Sequence, residues 1–353
     1  MRTVPQTMRA ARLTRHGGPD ALELAEVPTP VPGDGEVLVR VSAAALNNTD
    51  LWTREGAYGL AGAPRAKAGW RGRIDFPRIQ GADIAGTVAV VGDGTDPALL
   101  DTRVLVDPAL YDSTGPHAHP VGLLGSERDG GYAEYVVVAA ERAHPVQGSS
   151  LTDEELATLP TAYGTALGMI ERGRVQAGET VLVTGASGGV GLALVQLAHT
   201  RGARVLALTS AGKRSAVREA GADETIDRGG DLWADVRELA PQGLDAVLDV
   251  VAGDLIEQGL PHLSEGGRWV VAGALGGYPA SFDIRRLYLH NRALIGSSMH
   301  TPAHFALLAD IARQGQVAPV IAAQFELGDV HQAQAELASR SHVGKIVVNP
   351  DTR

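Results

Sequence analysis

The stretch that decides the fold lies at residues 180–191 and reads Thr-Val-Leu-Val-Thr-Gly-Ala-Ser-Gly-Gly-Val-Gly. An apolar strand (181–183) precedes a turn with four glycines, and a helix-forming run follows to about Thr200. Glycines let the backbone approach a pyrophosphate closely, and the start of the helix offers that anion free N–H groups and a positive dipole end. Because a second strand (204–209) follows, the pattern predicts a dinucleotide-binding unit. A purely structural strand–turn–helix is the alternative.

The end of that second strand indicates which dinucleotide is bound. Sites for NAD usually carry Asp or Glu there, but residues 206–214 read Leu-Ala-Leu-Thr-Ser-Ala-Gly-Lys-Arg. Thr209 and Ser210 supply hydroxyls, and Lys213 and Arg214 supply cations that suit a 2′-phosphate. Arg228, after the third strand, adds another cation near the predicted adenosine phosphate. The sequence therefore favours NADP, unless these cations merely decorate an exposed helix start.

Length and composition exclude several classes of protein. A chain of 353 residues fits two domains, and its net charge of −10 disfavours nucleic acid and anionic membranes as partners. The absence of cysteine excludes disulfides, thiolate nucleophiles and cysteine-based zinc sites. The N-terminal residues lack an apolar signal-peptide core, and the longest apolar stretch (181–198) is the predicted cofactor strand and helix. We therefore expect a soluble, cytoplasmic protein without a membrane span.

Hydrophobic periodicity divides the chain into two kinds of segment. The first 155 residues or so read as β structure, with strands at 37–41, 86–91, 103–106 and 132–138. Helices at 153–159 and 164–172 follow, and then strands alternate with helices to about residue 299. The six strands of this second part are 181–183, 204–209, 224–226, 246–251, 268–272 and 293–296, which predict a doubly wound parallel sheet. Two helices (302–314 and 328–339) and a strand (344–348) are expected to return to the first domain.

Seven motifs spread along the chain resemble those of one enzyme superfamily. They are Pro-Gly-Asp-Gly-Glu-Val-Leu-Val-Arg-Val (32–41), Leu-Asn-Asn-Thr-Asp (46–50), Gly-Ala-Asp-Ile-Ala-Gly (81–86), Gly-Gly-Tyr-Ala-Glu-Tyr (130–135), Thr-Ala-Tyr-Gly-Thr-Ala (161–166), Gly-Ala-Ser-Gly-Gly-Val-Gly (185–191) and His-Val-Gly-Lys-Ile-Val (342–347). The chain thus resembles the medium-chain dehydrogenases/reductases, and among them the zinc-free quinone oxidoreductases and enoyl reductases. The resemblance implies an α/β protein: a GroES-like, β-rich catalytic domain (1–156 and 298–353), a Rossmann NADP-binding domain with a six-stranded sheet (157–297), and a cleft between them. It also implies a homodimer or homotetramer, often joined near the sixth strand.

The resemblance implies a site without zinc. Zinc-dependent members of the superfamily have Cys-His where this chain has Asn47-Asn48, and His-Glu where it has Ala82-Asp83. Residues 107–129 have the length of the structural-zinc lobe but none of its cysteines. Two further histidine pairs, 117/119 and 300/304, are too sparse to predict a metal site. We therefore expect no metal.

Three residues near the first helix are the catalytic candidates. By resemblance, Asn47 lies at the nicotinamide and substrate end, Tyr58 takes the place of an active-site tyrosine, and Trp52 replaces an aromatic hydroxyl with an apolar wall. The alternatives are a loop-capping amide for Asn47 and an ordinary half-buried tyrosine for Tyr58. Asp50 and Arg54 are expected to form a structural pair. The resemblance also places the following residues at the cofactor: Asn47, Thr165, Ser187, Gly188, Gly189, Val190, Val251, Ala272, Gly273, Ala274, Ser297 and Lys345.

The segment after Tyr58 departs from the simplest relatives because residues 61–73 form an insertion. It holds Arg65, Lys67, Arg71 and Arg73 together with a tryptophan in an otherwise acidic protein. A solvated loop is one interpretation. The other is a lid over the substrate, able to meet the phosphate or carboxylate of a coenzyme A thioester.

Without zinc, hydrogen-bond donors must stabilise the oxygen on which charge develops. Such donors suit an acceptor that delocalises charge, which is why we expect a quinone or an α,β-unsaturated carbonyl compound, enoyl thioesters included, as the small-molecule substrate of an NADPH-dependent oxidoreductase. Alternatives are a non-catalytic NADPH-binding sensor or interaction protein and an alcohol dehydrogenase-type carbonyl reductase. A short-chain reductase is excluded because no tyrosine has lysine four residues later.

Overall fold

A computed structural model of the chain describes residues 4–58 and 69–350. Two compact units are present. Unit 1 combines the described residues up to Thr161 with those from Thr301 onward, and unit 2 comprises Ala162–His300. The chain therefore leaves unit 1 once, builds unit 2 as a continuous segment, and returns.

The elements of unit 1 up to the crossing point are mostly strands. They are β1 (Thr7–Leu13), β2 (Leu22–Pro28), β3 (Glu36–Ala45), α1 (Asn48–Glu55), β4 (Arg78–Ile79), β5 (Asp83–Val91), β6 (Arg103–Val106), β7 (Ala109–Tyr111), β8 (Pro120–Leu123), β9 (Tyr135–Ala139), β10 (Ala143–Pro145) and α2 (Asp153–Ala157). Strands β1, β2 and β7–β9 pair antiparallel with their neighbours, as does β3 with β5.

Unit 2 alternates strands with helices, as the periodicity predicts. Its elements are α3 (Pro160–Gly173), β11 (Thr180–Val183), α4 (Gly189–Thr200), β12 (Arg204–Thr209), α5 (Arg214–Glu219), β13 (Glu224–Asp227), α6 (Leu232–Leu239), β14 (Leu244–Asp249), α7 (Asp254–Gly259), β15 (Leu263–Val271), α8 (Arg285–Tyr288) and β16 (Ala293–Gly296). All neighbouring strands pair parallel in the order β13-β12-β11-β14-β15-β16. This is the doubly wound order with its switch point between the first and fourth strands, and it confirms the predicted six-stranded sheet.

The return segment completes the large sheet of unit 1. It contains α9 (Pro302–Arg313), β17 (Ile321–Glu326), α10 (Val330–Ser339) and β18 (Lys345–Asn349). Strand β18 lies beside β3, and the sheet runs β10-β6-β5-β3-β18-β17 with β9 also paired to β3. Because β18 pairs with β3, the start of β18 at Lys345 lies close to Asn47, which follows the end of β3. These two strand ends carry residues of the candidate site.

Each unit has its own apolar core. In unit 2 the central strands β11 and β14 are buried almost throughout, as expected for a parallel sheet covered by helices on both faces. Trp269 on β15 is fully buried among them. In unit 1 the core lies beneath β1, β3, β5 and β18. None of the helices formed by the described residues is both long enough and apolar enough to cross a lipid bilayer.

Candidate active site

The glycine-rich turn after β11 has the backbone that close approach of a ligand requires. Gly185 has a φ of +58°, and a Cβ on Gly191 would stand 2.1 Å from the Gly185 carbonyl oxygen. Gly188 is the N-cap of α4, so Ser187, Gly188, Gly189 and Val190 form the turn and the first residues of the helix. The first N–H groups of a helix have no partner within it and point towards the space before it. The turn is thus a backbone cradle that can hold an anion.

A buried carboxylate that the sequence analysis missed shapes the neighbouring turn. Asp249, the last residue of β14, is fully buried, and its Oδ1 accepts hydrogen bonds from the Thr184 hydroxyl (2.6 Å) and from the N–H groups of Val251 (2.8 Å) and Ala252 (3.0 Å). Its Oδ2 accepts from the indole N–H of Trp269 at 2.9 Å. These four donors fix the turn after β14 against the glycine-rich turn. The signal in the sequence is an acidic residue that ends an apolar strand.

Two cations stand close together beyond the end of β12. Burial and the neighbouring charge of Arg228 both lower the pKa of Lys213 from its usual value. The Arg228 N–H donates to the Thr209 carbonyl at 2.9 Å, which attaches this residue to the same strand end. Because like charges held near each other favour an anion between them, this corner of the sheet suits a phosphate.

Arg214 has a different environment from the other predicted phosphate ligands. Its guanidinium lies 3.4 Å from a carboxylate oxygen of Asp227, the last residue of β13. The Arg214 side chain is 39% exposed and the Asp227 side chain is 33% exposed, so the ion pair is partly solvated. Part of the positive charge of Arg214 is therefore balanced within the protein.

The remaining predicted cofactor residues of unit 2 follow the carboxyl ends of β14, β15 and β16 or lie on α3. The N–H of Ala272 donates to the Asp249 carbonyl at 3.0 Å, and a Cβ on Gly273 would stand 2.8 Å from the Val250 carbonyl. Ala274 lies one residue further on. Val251 and Ala272 were expected within strands, but β14 ends at Asp249 and β15 at Val271.

Two predicted hydroxyl residues of unit 2 already have partners there. The Ser297 hydroxyl accepts from Nη1 of Arg172 at 3.0 Å. The Thr165 hydroxyl donates to the sulfur of Met299 at 3.7 Å. Both residues are buried.

In unit 1, Asn47 and Lys345 are joined directly. The ammonium of Lys345 donates to Oδ1 of Asn47 (2.5 Å), to the Leu46 carbonyl (2.6 Å) and to a carboxylate oxygen of Asp83 (3.1 Å). Asp83 is fully buried, and its other oxygen accepts from the N–H of Thr161 at 2.8 Å. An ammonium has three N–H donors, so the three oxygens match its capacity. Asn47 precedes α1, and Lys345 begins β18.

A second buried acid lies behind Asn47. Oδ2 of Asp50 accepts from the Asn47 N–H at 2.7 Å and from the Tyr132 hydroxyl at 2.9 Å. Burial raises the pKa of Asp50 to about 6, and the charge of Asp83 adds to that rise, while these two hydrogen bonds and the charge of Lys345 oppose it. Burial and the Asp50 charge raise the pKa of Tyr132 well above its usual value.

The expected pairing of Asp50 with Arg54 is not what the structure has. The Arg54 guanidinium donates to the side-chain oxygen of Gln334 and to Glu55, the latter at 3.2 Å. Arg54 and Gln334 are both buried. The reason is geometric: Asp50 faces the N-terminus of α1, which it caps, whereas Arg54 reaches α10.

Tyr58 and Trp52 form an aromatic corner beside α1. Their rings are in edge-to-face contact, with centroids 5.4 Å apart and an interplanar angle of 71°. The Tyr58 hydroxyl donates at 2.9 Å to Oγ1 of Thr49, a residue that the sequence analysis did not single out. A threonine hydroxyl can also donate, so reversing this hydrogen bond would make the phenolic proton of Tyr58 available to another acceptor.

Only residues 69–73 of the basic insertion lie among the described residues. Arg65 and Lys67 lie outside them. The N–H groups of Arg71 and Gly72 donate to one carboxylate oxygen of Glu127 (2.8 and 2.7 Å), and the Arg71 guanidinium donates to the Pro120 carbonyl at 3.0 Å. Arg73 is exposed and lies 3.5 Å from Asp75. This end of the insertion is therefore anchored to the lobe that contains β8.

Histidines of the two pairs noted in the sequence take part in local packing and hydrogen bonds. His304 caps α9 together with Thr301, and His300 is fully buried against Gly164, where a Cβ would stand 2.3 Å from its Nδ1. The N–H of His119 donates to Asp112 at 3.0 Å. Across residues 4–58 and 69–350, no group of three or more acidic or histidine side chains has the arrangement of a metal site.

Comparison with known proteins places this architecture in a family. The alcohol dehydrogenase GroES-like domain matches residues 33–148, and the zinc-binding dehydrogenase domain matches residues 189–314. The quinone oxidoreductase of Mus musculus is 30% identical over 362 residues, which cover 99% of each chain. The chain belongs to the medium-chain dehydrogenase/reductase superfamily. The superfamily consists of oxidoreductases that use nicotinamide cofactors.

Two further members of the superfamily are similar along nearly their whole length. The acryloyl-coenzyme A reductase of Metallosphaera sedula is 29% identical and is matched over 94% of this chain and 97% of its own. A crystal structure from Sinorhizobium meliloti 1021, described provisionally as an alcohol dehydrogenase, is 43% identical with a TM-score of 0.94, over 99% of each chain.

Proposed function

We propose that this protein is an NADPH-dependent reductase that transfers hydride, without a metal, to a quinone or an α,β-unsaturated carbonyl compound. The observation that carries the proposal is the composition of two polar sites. The end of β12 has cations and hydroxyls in place of the carboxylate of an NAD site, and Asn47 is bonded to an ammonium where zinc-dependent relatives hold their metal.

The residues of unit 2 fit a bound dinucleotide. The cradle at Gly185 and Gly191 has no room for side chains, and α4 offers its N-terminus to a pyrophosphate. Lys213 and Arg228 repel each other, so binding a 2′-phosphate there would relieve that repulsion and also form charge-assisted hydrogen bonds. Bound NADPH would supply the hydride.

The residues of unit 1 would act on the acceptor oxygen. Nδ2 of Asn47 and the hydroxyl of Tyr58 are donors, and each such donor is typically worth about 2.7–4 kcal/mol in the transition state. Trp52 offers an apolar face to a planar acceptor. Because these donors are neutral, the acceptor must spread the developing charge, which a quinone or an enone does and a simple ketone does not.

The residue types support the proposed independence from zinc. Amide side chains and alanine replace soft or imidazole ligands at residues 47, 48 and 82, and amides are poor ligands for zinc. The ammonium of Lys345 already occupies Oδ1 of Asn47 and one oxygen of Asp83. A second cation at those atoms would meet a like charge within a few ångströms.

The functions named for the relatives support both the first choice and a second candidate. A quinone and an α,β-unsaturated acyl-coenzyme A thioester are acceptors of the proposed class. The relative from Sinorhizobium meliloti keeps an alcohol dehydrogenase-type carbonyl reductase as the second candidate. A simple ketone and a quinone tested side by side separate the two, and a non-catalytic NADPH-binding protein would reduce neither.

A homo-oligomer is proposed from exposed apolar side chains in the segment that leads into and includes the edge strand β16. Five large apolar side chains between residues 278 and 294 are 40–73% exposed: Tyr278, Ile284, Tyr288, Leu289 and Leu294. So many exposed apolar side chains in one short segment suit a surface that a second copy of the chain would cover. Sedimentation equilibrium should give a dimer or tetramer for the native chain and a monomer for Leu294→Lys. A native monomer would contradict this part of the proposal.

The first experiment measures the affinities of the protein for NADPH and for NADH. NADPH should bind at least about tenfold more tightly than NADH, which is about 1.4 kcal/mol. Lys213→Ala and Arg228→Ala should each reduce that ratio while the affinity for NADH stays nearly constant. Arg218→Ala, which removes an exposed cation from α5, is the matched control and should leave the ratio unchanged. Equal affinities of the native protein for the two cofactors would refute the assignment.

A further inference from the structure

Lys345 is the buried cation of unit 1 that touches a predicted catalytic side chain. Its side chain is 7% exposed, and its Nζ has oxygen partners on Leu46, Asn47 and Asp83. We propose that Lys345 is a positioning residue, which fixes the orientation of the Asn47 side-chain amide and polarises it. The inference rests on the proposed function in one respect: Asn47 is taken to donate to the acceptor oxygen.

The orientation follows from the chemistry of the two groups. An ammonium can only donate, so the amide atom that faces Nζ at 2.5 Å must be the oxygen. Nδ2 then points away from Lys345. Its contact with the Ala45 carbonyl is long, at 3.4 Å, so the amide keeps N–H capacity for another acceptor. Without the ammonium, the amide could rotate by half a turn and present its oxygen instead, which would repel a developing oxyanion.

The same contact makes the amide a stronger donor. A charged donor on Oδ1 draws electron density from the amide, and hydrogen bonds in such a chain strengthen one another in a buried environment. Asn47 is 8% exposed and Asp83 is fully buried, so little solvent screens the ammonium. The charge of Lys345 thereby strengthens the hydrogen bond that Nδ2 of Asn47 can donate, although the asparagine side chain is itself neutral.

Asp83 holds the ammonium in place. One carboxylate oxygen binds Nζ at 3.1 Å, and the other is fixed by the N–H of Thr161 at 2.8 Å. Since the three donors of Nζ are matched by three acceptors within unit 1, this arrangement gives Lys345 a role different from the direct cofactor contact expected from the sequence.

A double-mutant cycle on Lys345→Met and Asn47→Ala tests whether the lysine acts through the amide. The quantities compared are the single-turnover rate of acceptor reduction at saturating NADPH and the melting temperature. In the native background Lys345→Met should slow the reaction by about tenfold or more, since it misdirects an oxyanion donor. In the Asn47→Ala background it should change the rate by less than about twofold, because the amide is gone. An equal loss in both backgrounds would overturn the proposal.

Stability must be separated from catalysis because Lys345→Met leaves Asp83 buried without its counter-charge. The double variant Lys345→Met/Asp83→Asn removes both charges and should fold, yet should still be slowed as much as Lys345→Met. Arg54→Met is the matched control. It deletes a buried cation whose partners are Gln334 and Glu55, so it should lower the melting temperature but change the rate by less than about twofold. A rate restored in the charge-neutral double variant would contradict a positioning role.

A spectroscopic measurement keeps the inference separate from the proposed function. In protein labelled with ¹⁵N-asparagine, the side-chain amide resonances of Asn47 are identified by their loss in Asn47→Ala. They should shift in Lys345→Met and not in Arg54→Met, with no acceptor present. If no acceptor is reduced but these resonances shift, the proposed function fails and the amide orientation stands. Resonances that do not respond to Lys345→Met would overturn the positioning role.

Discussion

Replacing Asp50 by asparagine should remove a pH-dependent loss of stability that the native protein has. Burial raises the pKa of this carboxyl to about 6, from an ordinary value of 3.8. A carboxyl with a raised pKa favours the folded state when it is protonated. Its contribution is therefore fully present below about pH 4 and is lost as the pH rises through about 6. The asparagine side chain in Asp50→Asn would stay neutral, and its amide oxygen can accept from the Asn47 N–H and the Tyr132 hydroxyl as the carboxylate does.

The magnitude follows from the size of the shift. A rise of about two pKa units corresponds to about 3 kcal/mol, since each unit is worth 1.36 kcal/mol. The free energy of unfolding of Asp50→Asn minus that of the native protein should thus increase by up to about 3 kcal/mol between pH 4 and pH 7. Above pH 7 the difference should be constant.

Urea denaturation at half-unit pH intervals measures this difference directly. Titrating groups that do not interact with Asp50 affect both proteins alike and cancel in the subtraction. Asp129→Asn, at a half-exposed aspartate that pairs with Arg78, is the control and should give no such increase. If the difference between the two free energies of unfolding does not change with pH, or decreases as the pH rises, then ionising Asp50 does not destabilise the folded protein and the reasoning is refuted.

Three further outcomes are expected. Tyr58→Phe should lower the rate of enone reduction by about 10²-fold, or about 2.7 kcal/mol, without changing the Kd for NADPH, whereas a wall-lining tyrosine would leave the rate within about threefold. Gly191→Ala should weaken NADPH binding by at least tenfold in fluorescence titrations, because the new Cβ would stand 2.1 Å from the Gly185 carbonyl, while Gly328→Ala, which adds a Cβ in open space, should not. Prolonged chelation should leave activity intact, and elemental analysis should find no stoichiometric zinc; a metal lost together with activity would contradict this.

Local pattern is enough to predict the architecture of unit 2. Strand, turn and helix each follow from a few neighbouring residues, and β16 lies at the predicted residues 293–296. Strand ends are less accurate, because tertiary contacts decide them: Asp249 ends β14 by turning its carboxylate onto the following N–H groups. In unit 1 the strands β1, β2, β7 and β8 were not predicted, because they are defined by their pairing partners more than by a pattern of their own.

The chemistry of the candidate site was only partly predictable because its contacts span most of the chain. Asn47 could be singled out from its motif, but the ammonium bonded to it comes from a residue 298 positions later. The Tyr132 hydroxyl reaches Asp50 across 82 positions, and the pKa of that acid depends on the burial that this packing produces. Arg214 shows the converse: its charge is evident from the sequence, but its partner Asp227 lies on the next strand of the sheet.

The most direct test of the central claim is the fate of the hydrogen that leaves the cofactor. Protein treated with a chelator is incubated with NADPH that carries deuterium on one face of C4, each face being labelled in turn. Separate reactions contain a quinone, an enone or a simple ketone, and the products are examined by mass spectrometry and NMR. The proposal predicts that the quinone or the enone is reduced and that one cofactor epimer delivers deuterium to the β-carbon of the enone. Deuterium found only on the carbinol carbon of the simple ketone, or no consumption of NADPH with any acceptor, would contradict it.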